Sequence, residues 1–411
     1  MYDIKIIEQE ILKQLKYPSE KVSVVKLVDL IIEYAYVARA SDVHMDPDEK
    51  GMRIRFRIDG NLTDMFPKNP IPKDVRGELV ARIKVVAGLR TDEHLVPQDG
   101  RFRVTAEVLG NVDVRVSIIP TYYGENIVMR ILAANRTLDL ETQDFSPADL
   151  RQVLAAIKRP YGMILANGPT GSGKTTTLYS ILRKLNKPEV SIITIEDPIE
   201  YSLEGTTQIQ VNTQVGLTFA SGLRSILRQD PNIVMVGEIR DEETARIAVN
   251  AALTGHLVLS TLHTNDSATT FPRLMDMGIP PFLVASTVNI AMGQRLVRRL
   301  CPDCKKKKTL TIAEVESLGE LIPYVEKEKR SFYAPVGCAS CGNTGYKGRL
   351  GIREALLLDD EIRELVMQRS SAQDIKEAAV KGGMTTMLKD GLEKALEGLT
   401  SIDEVLRIIH E

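Results

Sequence analysis

Gly162-Met-Ile-Leu-Ala-Asn-Gly-Pro-Thr-Gly-Ser-Gly-Lys-Thr175 decides the fold of the C-terminal two thirds of this 411-residue chain. Gly162–Ala166 is an apolar run of strand length. Gly168, Pro169, Thr170, Gly171, Ser172, Gly173, Lys174 and Thr175 complete a G-x-x-x-x-G-K-[ST] loop, and Thr175-Thr-Thr-Leu-Tyr opens a helix. Strand, glycine loop and helix in that order form a phosphate cradle. Backbone N–H groups turn inward around the anion, and the helix start adds partial positive charge. Lys174 is expected to reach the β- and γ-phosphates, and Thr175 to hold Mg²⁺. A chance glycine-rich turn lacks this flanking context.

Further strand-length runs follow at Ser191–Ile195, Ile233–Val236 and Leu257–Thr261, alternating with helical patterns. That alternation predicts a parallel α/β sheet, whose ligands gather at the C-terminal strand ends. Three candidates stand there. Glu238 follows Ile233–Val236, and Glu196-Asp197-Pro-Ile-Glu200 follows the second run. His263 follows the fourth, with His256 before it. Carboxylates crowded beside a phosphate site point to a bound cation, while a solvated acidic turn is their plainer reading. For His263 a γ-phosphate contact and a structural role both stay open.

Upstream, Val24–Ala38 reads as an amphipathic helix. Strands at Met52–Ile58 and Val112–Ile118 follow, with hairpin signals at Asp59-Gly60, Asp99-Gly100 and Gly110-Asn111. The expected divisions are an extension over 1–21, a small α+β domain over 22–134, a linker over 135–147 and the nucleotide domain over 148–297. A cysteine-bearing segment over 298–350 and three short helices over 351–411 complete the chain. Cys301-Pro-Asp-Cys304 and Cys338-Ala-Ser-Cys341 hold all four cysteines. Two such pairs suit a tetrahedral Cys₄ Zn²⁺ site, whereas a redox dithiol needs only one. The basic run Lys305–Lys308 reads as a solvated loop.

No apolar run approaches the ~18 residues that cross a bilayer, and no signal-peptide pattern opens the chain, so the expected location is the cytoplasm. Net charge is −2 and tryptophan is absent. With no basic stripe visible along the chain, a primary nucleic-acid function is disfavoured.

The strings Gly168–Thr175, Ile195-Glu-Asp-Pro-Ile-Glu200, Leu227–Asp241 and Thr254–Asn265 resemble, in order, the Walker A, Asp box, Walker B and His box of the secretion ATPase superfamily. Its members include the type II secretion and type IV pilus ATPases. Ala40–Asp46, Arg55–Gly60 and Pro97–Arg101 extend the likeness upstream. The resemblance implies a PAS-like N-terminal domain hinged to a RecA-like ATPase domain, in a homohexamer that hydrolyses ATP. Glu238 and Glu200 then act near Mg²⁺ and the attacking water, with Glu196 beside the nucleotide. Arg101, Arg55 and Arg57 from the smaller domain approach the phosphates. The Cys₄ insertion is similar to that of the assembly and secretion ATPases, as against the retraction ATPases. It further implies pilin or pseudopilin polymerisation at the cytoplasmic face of the inner membrane, docked on a platform protein there. Those ATPases usually carry an additional N-terminal docking domain, for which only Ile4–Lys16 is left here. Two rival readings are a nucleic-acid-dependent RecA-like translocase and a nucleotide-gated scaffold that does not hydrolyse. The negative charge opposes the first, and Glu200 with Glu238 the second.

Overall fold

Antiparallel pairing dominates the first part of the chain and parallel pairing the second, and in the computed structural model the chain divides into two units, Met1–Arg136 and Thr137–Glu411. The structure describes residues 4–64, 66, 70–106, 110–133, 139–309 and 331–409. The expected boundary at 134/135 and the middle of the cysteine-bearing segment, 310–330, lie outside the described residues.

In the first unit, α1 (Ile4–Leu15) and α2 (Val24–Val37) precede β1 (Ala40–Pro47), β2 (Gly51–Ile58), β3 (Asn61–Asp64) and β4 (Ile71–Pro72). After α3 (Lys73–Ala87) come β5 (Gln98–Ala106), β6 (Gly110–Thr121) and β7 (Gly124–Ala133). The sheet order is β3-β2-β1-β7-β6-β5, with β4 on β2. Ser23 caps α2 by accepting the Lys26 N–H. Alternate residues such as Val43, Met45, Ile54, Phe56, Val114, Val116 and Met129 face one core with Leu27, Ile31, Leu79 and Ile83 of the helices. Asp59-Gly60 makes the expected two-residue turn, both at positive φ, between paired Ile58 and Asn61. Asp99-Gly100 does not turn. It lies inside β5 opposite Ser117 and Val116, because pairing with β6 overrides the local turn propensity. Gly110-Asn111 likewise begins β6, paired with Ala106 and Thr105.

The second unit opens with α4 (Pro147–Ala156), so the last residue of the expected linker is helical. Residues before it are tied down. Leu140 is buried, and Asp144 accepts from Arg299 and from the Gly351 N–H. Then follow β8 (Gly162–Asn167), α5 (Lys174–Leu185), β9 (Ile192–Glu196), β10 (Thr207–Gln210), α6 (Phe219–Ile226) and β11 (Ile233–Val236). Next come α7 (Glu242–Leu253), β12 (Leu257–Leu262), α8 (Thr270–Asp276), α9 (Pro281–Thr287) and β13 (Val288–Leu300). The short pair β14 (Lys306–Thr309) and β15 (Ser331–Ala334) leads to β16 (Tyr346–Leu357). Helices α10 (Asp360–Met367), α11 (Ala372–Lys381), α12 (Met387–Leu396) and α13 (Ile402–Ile409) close the chain.

The sheet runs β10-β9-β11-β12-β8-β13-β16, parallel except for β16. Its central strands are buried throughout and mostly apolar because both faces are covered. Met163, Leu165, Val234 and Val258 meet α7 and α9, while Ile164, Ala166, Met235 and Leu259 meet Leu178, Ile181 and Leu182 of α5. Three expectations change here. The sheet continues past Val297 through β13 and β16, so the cysteine segment is an insertion between adjacent strands of one sheet. The C-terminal residues hold four described helices, and Glu354 lies on a strand. Lys306–Lys308 forms part of β14, paired with β15, and is no free loop.

A buried acid marks the start of this unit. Asp149 is 1% exposed; Ser146 Oγ accepts its N–H and donates to its carboxylate. Burial pushes Asp149 up to about 6, against the Ser146 hydrogen bond and with Asp390 and Glu354 adding to it. A raised folded-state pKa favours the fold below the ordinary carboxylate range, and that contribution is lost as pH rises through about 6. Asp149→Asn is therefore expected to be more stable than the parent by about 1–3 kcal/mol at pH 8, by roughly half of that near pH 5, and no more stable at about pH 3. Denaturant midpoints at these pH values check this, and an equal offset at all of them would disprove it.

Candidate active site

Parallel strands deliver their C-terminal ends to one edge, and the candidate residues of the second unit gather there. β8 ends at Asn167, and the loop Gly168–Gly173 climbs directly into α5. Gly168 must be glycine: at φ +142° its backbone passes so close to β13 that a Cβ would sit 2.5 Å from the Gln294 carbonyl oxygen. Lys174 is 8% exposed and curls back, donating to the Gly168 and Pro169 carbonyls at 2.8 and 2.9 Å. Burial lowers its pKa to about 8; Glu238 opposes that shift and Arg295 adds to it. A buried ammonium held only by carbonyls is poised for an anion that compensates it better.

Glu238 is held from three sides. Gly237 N–H donates to the Ile195 carbonyl, Thr261 Oγ1 donates to the Gly237 carbonyl, and Ile239 N–H donates to the Thr261 carbonyl. These bonds fix the turn after β11 between β9 and β12. Its carboxylate pairs with Arg240 Nε at 2.6 Å and faces His263 Nε2 at 3.2 Å. The charge of Glu238 also reaches Lys174. His256, by contrast, sits at the start of β12, the opposite end of the sheet. Its Nδ1 lies 3.0 Å from the Ala251 carbonyl and belongs to the α7–β12 turn.

Glu196 ends β9 but turns inward. Buried, it accepts from Thr194 Oγ1 at 2.6 Å, from Gln208 Nε2 at 3.2 Å and, in a very short bond, from the Tyr179 hydroxyl of α5. Burial raises its pKa against those donors, and nearby Glu200 adds to the rise. In this structure Glu196 thus ties the phosphate-loop helix to β9, while Glu200 is half-buried beyond it.

The first unit carries the three candidate arginines, and its strand register shows what spacing concealed. Arg57 pairs with Asp42, Asp42 with Arg130, Arg130 with Arg115, and Arg115 with Arg101. Directly opposed residues share a face, so four arginines form one row across five strands, opposite the apolar core. Asp42 binds Arg130 at 2.9 Å and Arg57 at 3.6 Å, and Arg55 in the neighbouring row binds Asp46 at 2.7 Å. Arg115 and Arg130 escaped the sequence reading, although the alternation Val-Asp-Val-Arg-Val over 112–116 marks the outward face. A basic stripe therefore does exist, and its supposed absence no longer counts against nucleic acid.

The four thiols converge. Their sulfurs lie within 4.8 Å of one another, with Cys301–Cys338 and Cys304–Cys341 at 3.9 Å and Cys338–Cys341 at 3.7 Å. A disulfide needs about 2.05 Å. A tetrahedron with metal–sulfur bonds of ~2.3 Å has edges of about 3.8 Å, so the donor set fits a tetrahedral metal. Burial pushes Cys301 up. For Cys341 burial is outweighed by N–H donation from Cys338 and Gly345, each 3.2 Å from its sulfur, which lowers it.

The sequence matches the family model described as type II/IV secretion system protein over residues 18–407. The chain belongs to the type II/IV secretion system protein family. Relatives in this family include the type IV pilus assembly ATPase PilB of Myxococcus xanthus, 44% identical over 98% of this chain and 71% of its own length. The type II secretion system protein E of Klebsiella pneumoniae is 47% identical over 94% of this chain and 76% of its own. Among solved structures, the pilus retraction motor PilT with bound ADP superposes with a TM-score of 0.63 at 25% identity, covering 92% of this chain and 95% of that one. This secretion-family chain is an ATPase. Among its described residues no helix is long and apolar enough to cross a membrane.

Proposed function

We propose that this secretion-family ATPase is a homohexameric motor that turns ATP hydrolysis into the polymerisation of pilins or pseudopilins, for pilus assembly or type II secretion. The observation that carries the reading is the convergence of the phosphate loop, Lys174, Glu238 and His263 on one sheet edge. In this reading the second unit is RecA-like and the first PAS-like. Thr175 holds Mg²⁺, which supplies charge neutralisation at the phosphates. Glu238 and Glu200 orient and activate the attacking water, and Glu196 fixes the base of that site. Arg101, Arg55 and Arg57, with Arg115 and Arg130 of the same face, compensate phosphate charge. Cys301, Cys304, Cys338 and Cys341 hold Zn²⁺. An inner-membrane platform protein is the partner at the cytoplasmic face, and against direct nucleic-acid binding there remains the net charge of −2.

The test follows from the arginines. Specific activity should rise with protein concentration as the ring forms, measured alongside sedimentation. Arg101→Ala should lower kcat by up to ~10³-fold while nucleotide affinity stays within a few-fold, since its charge is matched to the transition state. Concentration-independent activity in a monomer rules out the ring. DNA-stimulated hydrolysis at physiological salt favours the translocase instead.

A further inference from the structure

Gln294 lies on β13, one residue beyond Gly293, which pairs with Asn167 at the end of β8. Its side chain is completely buried beneath the phosphate loop. Its Nε2 donates to the Ser172 carbonyl at 2.9 Å, and its Oε1 accepts from the Thr177 hydroxyl at 3.0 Å. The Ser172 carbonyl can only accept, so the amide nitrogen must face it, and the oxygen is left for the hydroxyl. Glutamine offers a donor and an acceptor on the same planar end without any change of protonation. Thr177 is itself fully buried in the first turn of α5, its N–H on the Gly173 carbonyl at 3.0 Å.

The consequence concerns one peptide plane. In a trans peptide the C=O of one residue and the N–H of the next point in opposite directions. Gln294 holds the Ser172 carbonyl downward, which turns the Gly173 N–H upward into the mouth of the loop. Gly173 stands at φ +89°, and a Cβ there would lie 3.3 Å from the Gln294 amide nitrogen. Thr177 in turn stops the Gln294 amide from rotating. We infer that Gln294, locked by Thr177, is a positioning residue for nucleotide binding that presets the Gly173 amide toward the phosphates. It touches no phosphate itself. Its effect is on affinity, because an amide free to rotate must be ordered each time nucleotide binds.

The inference rests on the phosphate loop being the nucleotide site, and the experiment separates the two. Calorimetric titration with MgATP is run on the full chain and on Lys174→Ala, Gln294→Met, Thr177→Val, Thr177→Ser and the Gln294→Met/Thr177→Val double variant, with kcat and KM from steady-state assays. Gln294→Met should bind MgATP roughly tenfold more weakly, with KM raised by the same factor and kcat within about twofold, as expected for lost hydrogen bonds that act before chemistry. Thr177→Val should weaken binding several-fold, Thr177→Ser should match the parent, and the double variant should be no weaker than Gln294→Met alone. Additive losses in the double variant, or parental affinity in folded Gln294→Met, would overturn the positioning role. Should Gln294→Met fail to fold, the Thr177 pair decides: equal affinity of the valine and serine variants overturns it. Lys174→Ala binding as tightly as the parent would instead displace the site itself.

Discussion

Glu238→Gln should bind MgATP within a few-fold of the parent and hydrolyse it at least ~100-fold more slowly, the scale seen when one preorganised group that acts in the transition state is removed. The amide has the shape of the carboxylate, so the turn fixed by Gly237, Thr261 and Ile239 survives the exchange. What disappears is the negative charge between Arg240 and His263, and with it a group that can accept a proton from water. Lys174→Ala is the complementary lesion. It removes the buried cation whose present partners are the Gly168 and Pro169 carbonyls, and it should abolish both binding and turnover. Measured side by side by equilibrium binding and phosphate release, the two variants part the roles of holding and hydrolysing. Parental turnover in Glu238→Gln would remove Glu238 from the chemistry.

The second large effect lies in the cysteine insertion. Purified protein should carry about one zinc per chain by elemental analysis, and Cys301→Ser should lose it. Structural Zn²⁺ in small domains contributes apparent free energies of about 10–16 kcal/mol, far more than the one two-stranded pairing and the Lys305 contacts seen among the described residues of this segment. Phe332 reaches the small apolar cluster of Leu392, Ala395, Ile402 and Val405, while the cysteines themselves sit at strand ends and tight turns. Metal loss should therefore open the described strands between the pairs, Lys306–Thr309 and Ser331–Ala334, to protease. The phosphate loop has its own core and should still bind MgATP in Cys301→Ser. Protein free of zinc and still resistant to cleavage would refute the site.

Both outcomes concern residues that the sequence marks clearly, and the reasons are physical. Backbone and lysine requirements for cradling phosphate allow few substitutes, so Gly168–Thr175 is visible locally. The parallel strands are visible because burial on both faces leaves unbroken apolar runs. β16 was missed for the opposite reason. Its run Tyr346–Leu357 carries Arg353 and Glu354, which look like surface charges until their partners are seen. Arg353 lies over the Phe145 ring with its N–H on Asp390, and Glu354 accepts from the Ser267 N–H and hydroxyl and from the Met387 N–H. Those partners are distant in the chain. The arginine row was hidden likewise, since only strand register reveals that Arg57, Arg130, Arg115 and Arg101 are neighbours. Gln294 belongs to the same class, one glutamine in a strand whose meaning comes from the loop above it.

The strand that carries Gln294 also carries Cys301 one residue past its end. An extended chain rises about 3.3 Å per residue and has almost no slack left to give. From Gln294 to Cys301 that is a link of at most roughly 23 Å at this rise, paired with antiparallel β16 except at the irregularity between Arg298 and Leu300. The thiol cluster and the phosphate loop are thus joined by a single short strand that has little length to give.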